Sequence, residues 1–252
     1  MHKDPVLILG GMGSVGFACA KQFAKLGHDL ILICRGRRTK DAEYGQKAKA
    51  LREYGVSVDI VKGNICNEEC LQKVLNLIKG STLFAMVHAI ADGNVGSIFD
   101  GEKKLNENSF MYTLNTMCIS FVTWTQALID NANICEGSSI IGFSSEGFYR
   151  VLPQYAANGV AKAGLETLCL YMADELESKG ISVFVFRTKM MDTNAIKIFD
   201  SYEMLKKAQI SENANKSLTT PDEIASKVIS YITRRNADDM KYGVIDLCHN
   251  DY

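Results

Sequence analysis

The stretch Val6-Leu-Ile-Leu-Gly10-Gly-Met-Gly13-Ser-Val-Gly16 joins an apolar run to a glycine-rich turn near the start of this 252-residue chain. Four consecutive aliphatic residues are typical of a strand that is buried on both faces of a parallel sheet. The pattern that follows, at 15–26, predicts a helix. A strand that passes through a tight glycine turn directly into a helix therefore predicts an α/β fold.

The same alternation of strand and helix continues along the chain. Apolar runs of strand length lie at 5–9, 29–34, 57–61, 83–88, 138–143, 181–186 and 243–247. Helical patterns lie between them, at 15–26, 40–54, 67–79, 107–130, 153–179 and 221–235. This alternation predicts a Rossmann-type doubly wound parallel sheet of about seven strands, with helices on both faces. Because we find no linker and no internal repeat, we expect a single domain over 1–252.

One segment is too long for a simple connection between a strand and a helix. Residues 189–217 carry several large apolar side chains, among them Met190, Met191, Ile196 and Phe199. A methionine-rich insertion at the carboxyl edge of a parallel sheet is typical of an adaptable lid. We therefore predict a substrate lid at 189–217. The alternative is an amphipathic helix that only caps the core.

Composition argues against several classes of protein. The formal net charge of −1 gives no electrostatic basis for binding nucleic acid or an anionic membrane. The eight cysteines form no Cys-x-x-Cys pair and the four histidines do not cluster, so we expect neither a disulfide framework nor a metal site. No apolar run reaches the roughly 20 residues of a membrane span, and the first strand begins too early for a signal peptide. We therefore expect a cytoplasmic protein.

The glycine turn predicts a dinucleotide site. Glycine at Gly10, Gly13 and Gly16 permits a tight turn and lets the backbone approach a pyrophosphate closely. The start of the following helix, at Ser14, Val15 and Gly16, would hold the pyrophosphate through free N–H groups and the helix dipole. The alternative is a turn that is rich in glycine for structural reasons alone.

The end of the second predicted strand bears on which dinucleotide binds. A carboxylate there selects NAD by bonding the ribose hydroxyls, whereas an arginine accommodates the 2′-phosphate of NADP. The chain has Arg35, Arg37 and Arg38 at this place and no acid before Asp41. Because forked guanidinium donors suit a phosphate dianion, we predict NADPH (NADP) rather than NADH. The alternative is a solvated basic loop.

The spacing from Tyr155 to Lys162 is the strongest indication of chemistry. If the stretch is helical, seven steps of 100° bring the phenol and the ammonium onto one face, about 10 Å apart along the axis. Ser145 lies just upstream, after the fifth predicted strand. This group is typical of a reductase site in which a tyrosine hydroxyl meets a substrate oxygen beside a nicotinamide. The alternatives are a surface tyrosine, a solvated lysine and a serine that only caps a turn.

Together these residues resemble the short-chain dehydrogenase/reductase family along nearly the whole chain. The glycine turn is similar to the family's Thr-Gly-x-x-x-Gly-x-Gly motif, with Leu9 for the threonine and Ser14 for the middle glycine. Most members then carry Tyr-x-x-x-Lys, but the position four before Lys162 is Asn158. Tyr155 gives Tyr-x6-Lys instead, which is similar to the enoyl-acyl-carrier-protein reductases of this superfamily.

The resemblance implies roles for further residues. Ser145 matches the family's serine and Asn115 its helix asparagine, whereas the Pro-Gly that usually follows the sixth strand is absent. The sequence around His88 is close to the enoyl reductases, and His88 would line the cofactor cleft or be buried rather than act as an acid. The cofactor-binding residues implied in this way are Asn64, Ile65, His88, Ala89, Lys162 and Thr193.

An enoyl reductase of this kind passes hydride from NADPH to the β-carbon of an α,β-unsaturated thioester. The resemblance implies that Tyr155 donates to the thioester oxygen, where negative charge develops, with Ser145 as a second donor. Lys162 would bond the nicotinamide ribose and favour phenolate character in a nearby tyrosine. It also implies an acyl thioester substrate, carried on acyl-carrier protein or coenzyme A, and a homodimer or homotetramer.

Two other functions stay open at this point. The first is a ketone or alcohol oxidoreductase of the same superfamily, in which Tyr155 protonates an alkoxide; the Tyr-x6-Lys spacing argues against it. The second is a nucleotide-binding protein whose chemistry has degenerated. The lost Pro-Gly and the altered glycine turn favour that reading weakly, and the retained Ser145, Tyr155 and Lys162 argue against it.

Overall fold

The predicted strands form one parallel sheet. The computed structural model describes residues 3–36, 38–191, 193, 196–197, 202–212, 217–233 and 243–248. Within these residues the sheet has seven strands in the order β3-β2-β1-β4-β5-β6-β7. They are β1 (Lys3–Leu9), β2 (His28–Cys34), β3 (Val58–Lys62), β4 (Ala85–His88), β5 (Ser139–Ser145), β6 (Ser182–Thr188) and β7 (Gly243–Asp246). The predicted Rossmann-type doubly wound sheet is confirmed.

The helices follow the predicted pattern closely. They are α1 (Ser14–Lys25), α2 (Asp41–Arg52), α3 (Glu68–Leu77), α4 (Glu107–Leu114), α5 (Ser120–Asp130), α6 (Ala156–Glu177), α7 (Tyr202–Glu212) and α8 (Pro221–Thr233). The pattern at 107–130 is a single run whose α4 and α5 are joined by one π-helical turn, Asn115–Ile119. Across the described ranges, no helix combines the length and apolarity that crossing a membrane requires.

The helix that carries Lys162 begins later than predicted. The pattern at 153–179 placed Tyr155 inside it, but α6 starts at Ala156 and Tyr155 is its N-cap residue. The preceding residue, Gln154, has a φ of 62°, in the left-handed region that a helix does not use. The prediction that Tyr155 and Lys162 share a helical face is therefore wrong, because only Lys162 is in the helix.

The insertion at 189–217 contains a helix, α7; a helix in this insertion was the alternative to a lid, without assigned bounds. Residues 192, 194–195, 198–201 and 213–216 lie outside the described residues, and Phe199 is among them. Before α7, Met191 forms an isolated parallel bridge with Thr219. The start of the insertion therefore lies beside the residues that lead into α8.

The core has one layer on each face of the sheet. Along β1, Val6 and Ile8 pack against α1, α2 and α8, whereas Leu7 and Leu9 pack against α3, α5 and α6. All four side chains are fully buried. Burying an aliphatic side chain of this size contributes roughly 1.5–3 kcal/mol, so β1 stabilises both layers. The helices on both faces are as predicted.

The strand order creates a cleft at the carboxyl ends of β1 and β4. β1 pairs with β2 on one side and with β4 on the other, so the chain leaves β1 and β4 towards opposite faces of the sheet. Ligands of open α/β sheets bind at such a switch point.

Candidate active site

The glycine turn after β1 is held in a conformation that requires glycine. Gly10 has a φ of 81°, and the N–H groups of Gly10 and Gly11 both donate to the Ile33 carbonyl at 3.0 Å. A Cβ on Gly16 would lie 2.3 Å from the Gly10 carbonyl oxygen, which no side chain can tolerate. Each glycine therefore lets two backbone segments approach closely, as a phosphate-binding turn needs.

The turn leaves the N-terminus of α1 open. Gly13 is the N-cap residue and has no side chain with which to cap the helix. Ser14, Val15 and Gly16 form the first turn, where backbone N–H groups have no partner within the helix. Such an N-terminus could hold a pyrophosphate through these groups and the helix dipole. The residues Gly10, Gly13, Ser14, Val15 and Gly16 are thus brought together as the sequence predicts.

Two adjoining cavities occupy the cleft. We call the first the β2-side cavity; its wall includes Gly10, Gly13, Arg35, Asn64, Ile65 and Asp92. We call the second the β5-side cavity; its wall includes Val15, Ser145, Tyr155, Lys162, Met190 and Thr193. Ala89, Ile90 and Ala91, directly after β4, line both cavities. The two cavities therefore share one wall and can hold the two ends of one extended ligand.

Ser145, Tyr155 and Lys162 meet in the β5-side cavity. The Ser145 Oγ and the Tyr155 Oη are 2.9 Å apart. Lys162 is 6% exposed, and its Nζ donates to the Phe143 carbonyl at 2.6 Å. The Tyr155 ring packs on Gly147, where a Cβ would lie 2.5 Å from Cε1. Both hydroxyls and the ammonium thus reach one cavity although Tyr155 is not helical.

Burial tunes the charge states of these groups. Desolvation raises the pKa of Tyr155, against the lowering effect of its bond with Ser145, so the phenol is protonated near neutral pH. Desolvation lowers the pKa of Lys162 to about 8, and the nearby Cys118 and Glu166 act in the opposite direction. The cavity therefore presents a neutral proton donor beside an ammonium that titrates close to physiological pH.

His88 lies behind the cleft. Its ring lines neither cavity; it is buried and its Nε2 is 2.8 Å from the Ser120 Oγ, whose own proton goes to the Thr116 carbonyl. The imidazole is therefore the donor. Burial, followed by the charge of Lys162, lowers the pKa of His88 to about 3, so the ring stays neutral. Its side chain therefore packs on α5, and its neighbour Ala89 is part of the shared wall.

The other residues implied by the resemblance are divided between the two cavities and the protein surface. Asn64 lines the β2-side cavity and its Oδ1 accepts the Cys66 N–H at 3.0 Å, which fixes the turn after β3. Ile65 lines the same cavity, and its carbonyl accepts the indole N–H of Trp124 at 2.9 Å. Thr193 lines the β5-side cavity, whereas Asn115 is exposed.

An ion pair that was not predicted lies on the wall of the β2-side cavity. The Arg35 guanidinium is paired with the Asp92 carboxylate and also contacts the Tyr112 hydroxyl. That hydroxyl donates to the Asp92 Oδ2 at 2.6 Å. Asp92 follows β4, at the edge of the sheet where ligand-binding residues are expected, but nothing local reveals that it pairs with a residue 57 positions earlier. Arg35 is consequently not an isolated cation.

A charged cluster is centred on Arg187 near the end of β6, just before the place where the family usually has Pro-Gly. Arg187 donates two bonds to the buried Glu166 of α6, at 3.0 and 2.6 Å, and one to Asp246 of β7 at 2.9 Å. Its guanidinium lies over the Phe148 ring, 4.9 Å from the centroid. The cluster ties α6, one turn beyond Lys162, to the loop that leads to Tyr155.

Comparison with known proteins identifies the family. A family model described as enoyl-(acyl carrier protein) reductase matches residues 10–237. The chain belongs to this family. As a member of it, the protein is an oxidoreductase of the short-chain dehydrogenase/reductase type, as the resemblance implied.

Individual relatives match this chain over most of their length. The enoyl-[acyl-carrier-protein] reductase [NADH] FabI of Enterococcus faecalis is 24% identical over 230 residues, 90% of this chain and 88% of the relative. The solved enoyl-[acyl-carrier-protein] reductase (NADH) of Aquifex aeolicus has a TM-score of 0.82 at 19% identity, over 97% of this chain and 95% of that one. A short-chain dehydrogenase from Burkholderia cenocepacia, solved with NADP, has the same TM-score of 0.82 at 18% identity, over 97% and 96% of the two chains. The fold alone therefore does not select a dinucleotide.

The prediction of NADPH as the cofactor is wrong. The matched enoyl reductases are named as NADH enzymes, including those of Enterococcus faecalis and Bacillus subtilis. The structure supplies a physical reason, because the guanidinium of Arg35 is neutralised by Asp92, whose carboxylate would also repel a 2′-phosphate. Arg37 lies outside the described residues, and Arg38 begins a short 3-10 helix, Arg38–Lys40.

Proposed function

We propose that this reductase uses NADH to reduce the carbon–carbon double bond of an enoyl thioester. The observation that carries the proposal is the contact between the Ser145 and Tyr155 hydroxyls in the cavity that also contains Lys162. Two hydroxyls that converge on one point beside an ammonium suit an oxygen on which negative charge develops. A thioester carbonyl acquires such charge when hydride adds to its β-carbon.

The residues of the cleft fit a dinucleotide. The cradle has no room for a Cβ at Gly10 or Gly16, is tight at Gly13, and leaves backbone N–H groups of α1 for a pyrophosphate. Asn64 and Ile65 would border the adenine in the β2-side cavity. When bound, NADH would supply the hydride. The Arg35–Asp92 pair supports NADH, since an ion pair that is already neutral offers little attraction to an additional phosphate.

Tyr155 acts as the proton donor to the thioester oxygen. Because its pKa is raised, the phenol keeps its proton at neutral pH and can donate a hydrogen bond that strengthens as the oxygen becomes negative. Ser145 orients the phenol by donating its proton to the Tyr155 Oη while the phenol proton points to the thioester oxygen, since either oxygen of this pair can be the donor. As a second donor, Ser145 would instead release the phenol and turn its proton to the thioester oxygen. Lys162 adds positive charge and would bond the ribose hydroxyls.

The remaining walls favour an apolar acyl group. Val95, Met190, Met191 and Ile196 line the β5-side cavity, and methionines adapt to acyl chains of different shape. Met190, Met191 and Ile196 belong to the insertion at 189–217, which supports the proposal that the insertion is a substrate lid. That 1–252 forms a single domain is a separate proposal. We further propose acyl-carrier protein as the carrier, a homo-oligomeric assembly and a cytoplasmic location; these stay predictions.

Asn158 argues against reduction of a ketone. It stands where family members with Tyr-x-x-x-Lys place their tyrosine, and it cannot supply a phenolic proton. The amide also donates to the Asn94 carbonyl, which commits it to a structural contact.

A substrate panel tests the proposal. We expect NADH absorbance to fall with a crotonyl thioester, with butyryl thioester as the product, and to stay constant with an acetoacetyl thioester or without substrate. The matched control is Gly16→Ala, whose Cβ would meet the Gly10 carbonyl and abolish cofactor binding. Consumption of NADH with the acetoacetyl thioester alone, or no consumption in any sample, would contradict the proposal.

A further inference from the structure

Asn158 is a buried amide in the first turn of α6, on the wall of the β5-side cavity. Its side chain is 6% exposed, and its Nδ2 donates a hydrogen bond of 2.9 Å to the Asn94 carbonyl. Asn94 belongs to residues 91–96, which we call the post-β4 segment. No step proposed above uses Asn158, so its position beside the reacting groups has to be explained in another way.

The post-β4 segment is shaped to fit against Asn158. A Cβ on Gly93 would lie 2.3 Å from the Asn158 Oδ1 and 2.6 Å from the Thr113 Cγ2. Gly93 therefore lets the segment lie directly between α6 and α4. Asn158 therefore contacts two consecutive residues of the segment: its Oδ1 lies against Gly93 and its Nδ2 bonds to the Asn94 carbonyl.

Two backbone N–H groups of the segment make further contacts. The Asn94 N–H donates to the Thr113 Oγ1 at 2.9 Å, and the Gly96 N–H donates to the Gln154 carbonyl at 3.1 Å. Asn94 is thus held between α4, through Thr113, and α6, through Asn158. Loss of the Asn158 bond would leave the segment attached to α4, to the loop before Tyr155 and, through Asp92, to Arg35, but no longer to the side chain of α6.

The position of this segment decides the shape of both cavities. Ala91 lines both of them, Asp92 lines the β2-side cavity, and Gly93 and Val95 line the β5-side cavity. Asp92 also carries the ion pair with Arg35. A shift of the segment would therefore change the fit of the cofactor and of the substrate together.

We propose that Asn158 is a positioning residue that holds the post-β4 segment as the common wall of the cofactor and substrate cavities. This inference rests on the proposed function for its effect on turnover, but not for its effect on the segment itself. In this family member, the position occupied elsewhere by a proton donor has become a structural tie.

The test is Asn158→Asp, which keeps the shape of the side chain and replaces the donor by an acceptor. Loss of one buried bond should accelerate hydrogen exchange at the Asn94 and Gly96 amides about tenfold and weaken NADH binding, measured by fluorescence titration, by a similar factor. The KM for the enoyl thioester should rise with it. We expect kcat at saturation to stay within about threefold, so that the loss falls on KM and on NADH binding rather than on turnover.

Asn131→Asp is the matched control. Asn131 makes the same amide-to-carbonyl bond, to Ala127 at 2.8 Å, at the exposed end of α5. If Asn158→Asp does not fold, Gly93→Ala disturbs the same contact from the segment's side and should give the same changes. The inference would be overturned if hydrogen exchange at these amides and NADH affinity were unchanged in a folded Asn158→Asp or Gly93→Ala variant. It would also be overturned if Asn131→Asp changed them equally. Both measurements are made without turnover, so absence of enoyl reduction in the parent protein would refute the proposed function and leave this test intact.

Discussion

The Ser145 hydroxyl lies 2.9 Å from the Tyr155 hydroxyl, across the loop that connects β5 to α6. This loop turns sharply at Gln154, which has a φ of 62°, and the Tyr155 ring then folds onto Gly147. The phenol reaches the cavity because of this turn, although its residue precedes the helix. The geometry of the Ser145–Tyr155 pair therefore depends on the loop as well as on α6.

Ser145→Ala should lower kcat for the enoyl thioester by about tenfold, because the phenol loses the partner that orients it. NADH affinity should stay within twofold. Ser144→Ala is the neighbouring control, since the Ser144 Oγ is buried and finds no hydrogen-bond partner among the described residues. That control should keep kcat within threefold and raise the free energy of unfolding by about 1 kcal/mol. Equal loss of kcat in both variants would contradict the assignment.

Asp92→Asn should shift cofactor preference towards NADPH. The change releases the Arg35 guanidinium from its carboxylate partner and removes a negative charge from the β2-side cavity. A new charge-assisted bond to a phosphate is worth about 1.5–3 kcal/mol, so the ratio of KM for NADPH to KM for NADH should fall at least tenfold. Asp174→Asn, an exposed site on α6, is the control. An unchanged ratio in Asp92→Asn would show that the ion pair does not set the preference.

Lys162→Met should change how stability depends on pH. The pKa of Lys162 is about 8 in the folded protein and 10.5 ordinarily, so between these values the unfolded chain binds more protons and folding gains stability as pH rises. Relative to Lys162→Met, the parent protein should gain roughly 3 kcal/mol in free energy of unfolding from pH 8 to pH 10.5. Denaturant unfolding at several pH values measures the difference. If the difference in free energy of unfolding between the parent protein and Lys162→Met stayed constant with pH, the lowered pKa of the buried Lys162 would be contradicted.

Gln154→Gly should raise stability and lower activity. A non-glycine residue in the left-handed region is strained by about 1–2 kcal/mol, of which glycine recovers part against its greater freedom when unfolded. We expect a net gain of about 0.5–1 kcal/mol in thermal or denaturant unfolding, together with a lower kcat because Tyr155 is less firmly held. Gln154→Asn, which tolerates this conformation better than glutamine, should fall between the two. Increased kcat in Gln154→Gly would refute the role of the turn.

The sheet could be predicted from the sequence because each strand is a short, continuous apolar run, as in Val6–Leu9. Its parallel strand direction follows from the alternation with helices. The glycine turn was also readable, since only glycine fits at Gly10 and Gly16. Each of these signals lies within a few consecutive residues, and together they predict most of the fold.

The contacts that shape the site were not readable in the same way. Arg35 and Asp92 are far apart in the sequence, so three arginines looked like a phosphate site when one of them was already paired. The start of α6 was misplaced because Pro153 and the apolar residues after it fit a helix, whereas the left-handed Gln154 delays it to Ala156. The tie between Asn158 and Asn94 depends on the folded position of both.

The most direct test of the account is the rate of hydride transfer in Tyr155→Phe, followed by NADH absorbance in a single turnover with a crotonyl thioester. Removal of the donor should slow this step by about 10²–10³-fold while NADH affinity stays within twofold. Tyr149→Phe, which alters the exposed tyrosine beside Arg187, should retain most of the rate. A rate in Tyr155→Phe above one third of the parent's, or a large loss in Tyr149→Phe instead, would contradict the central claim.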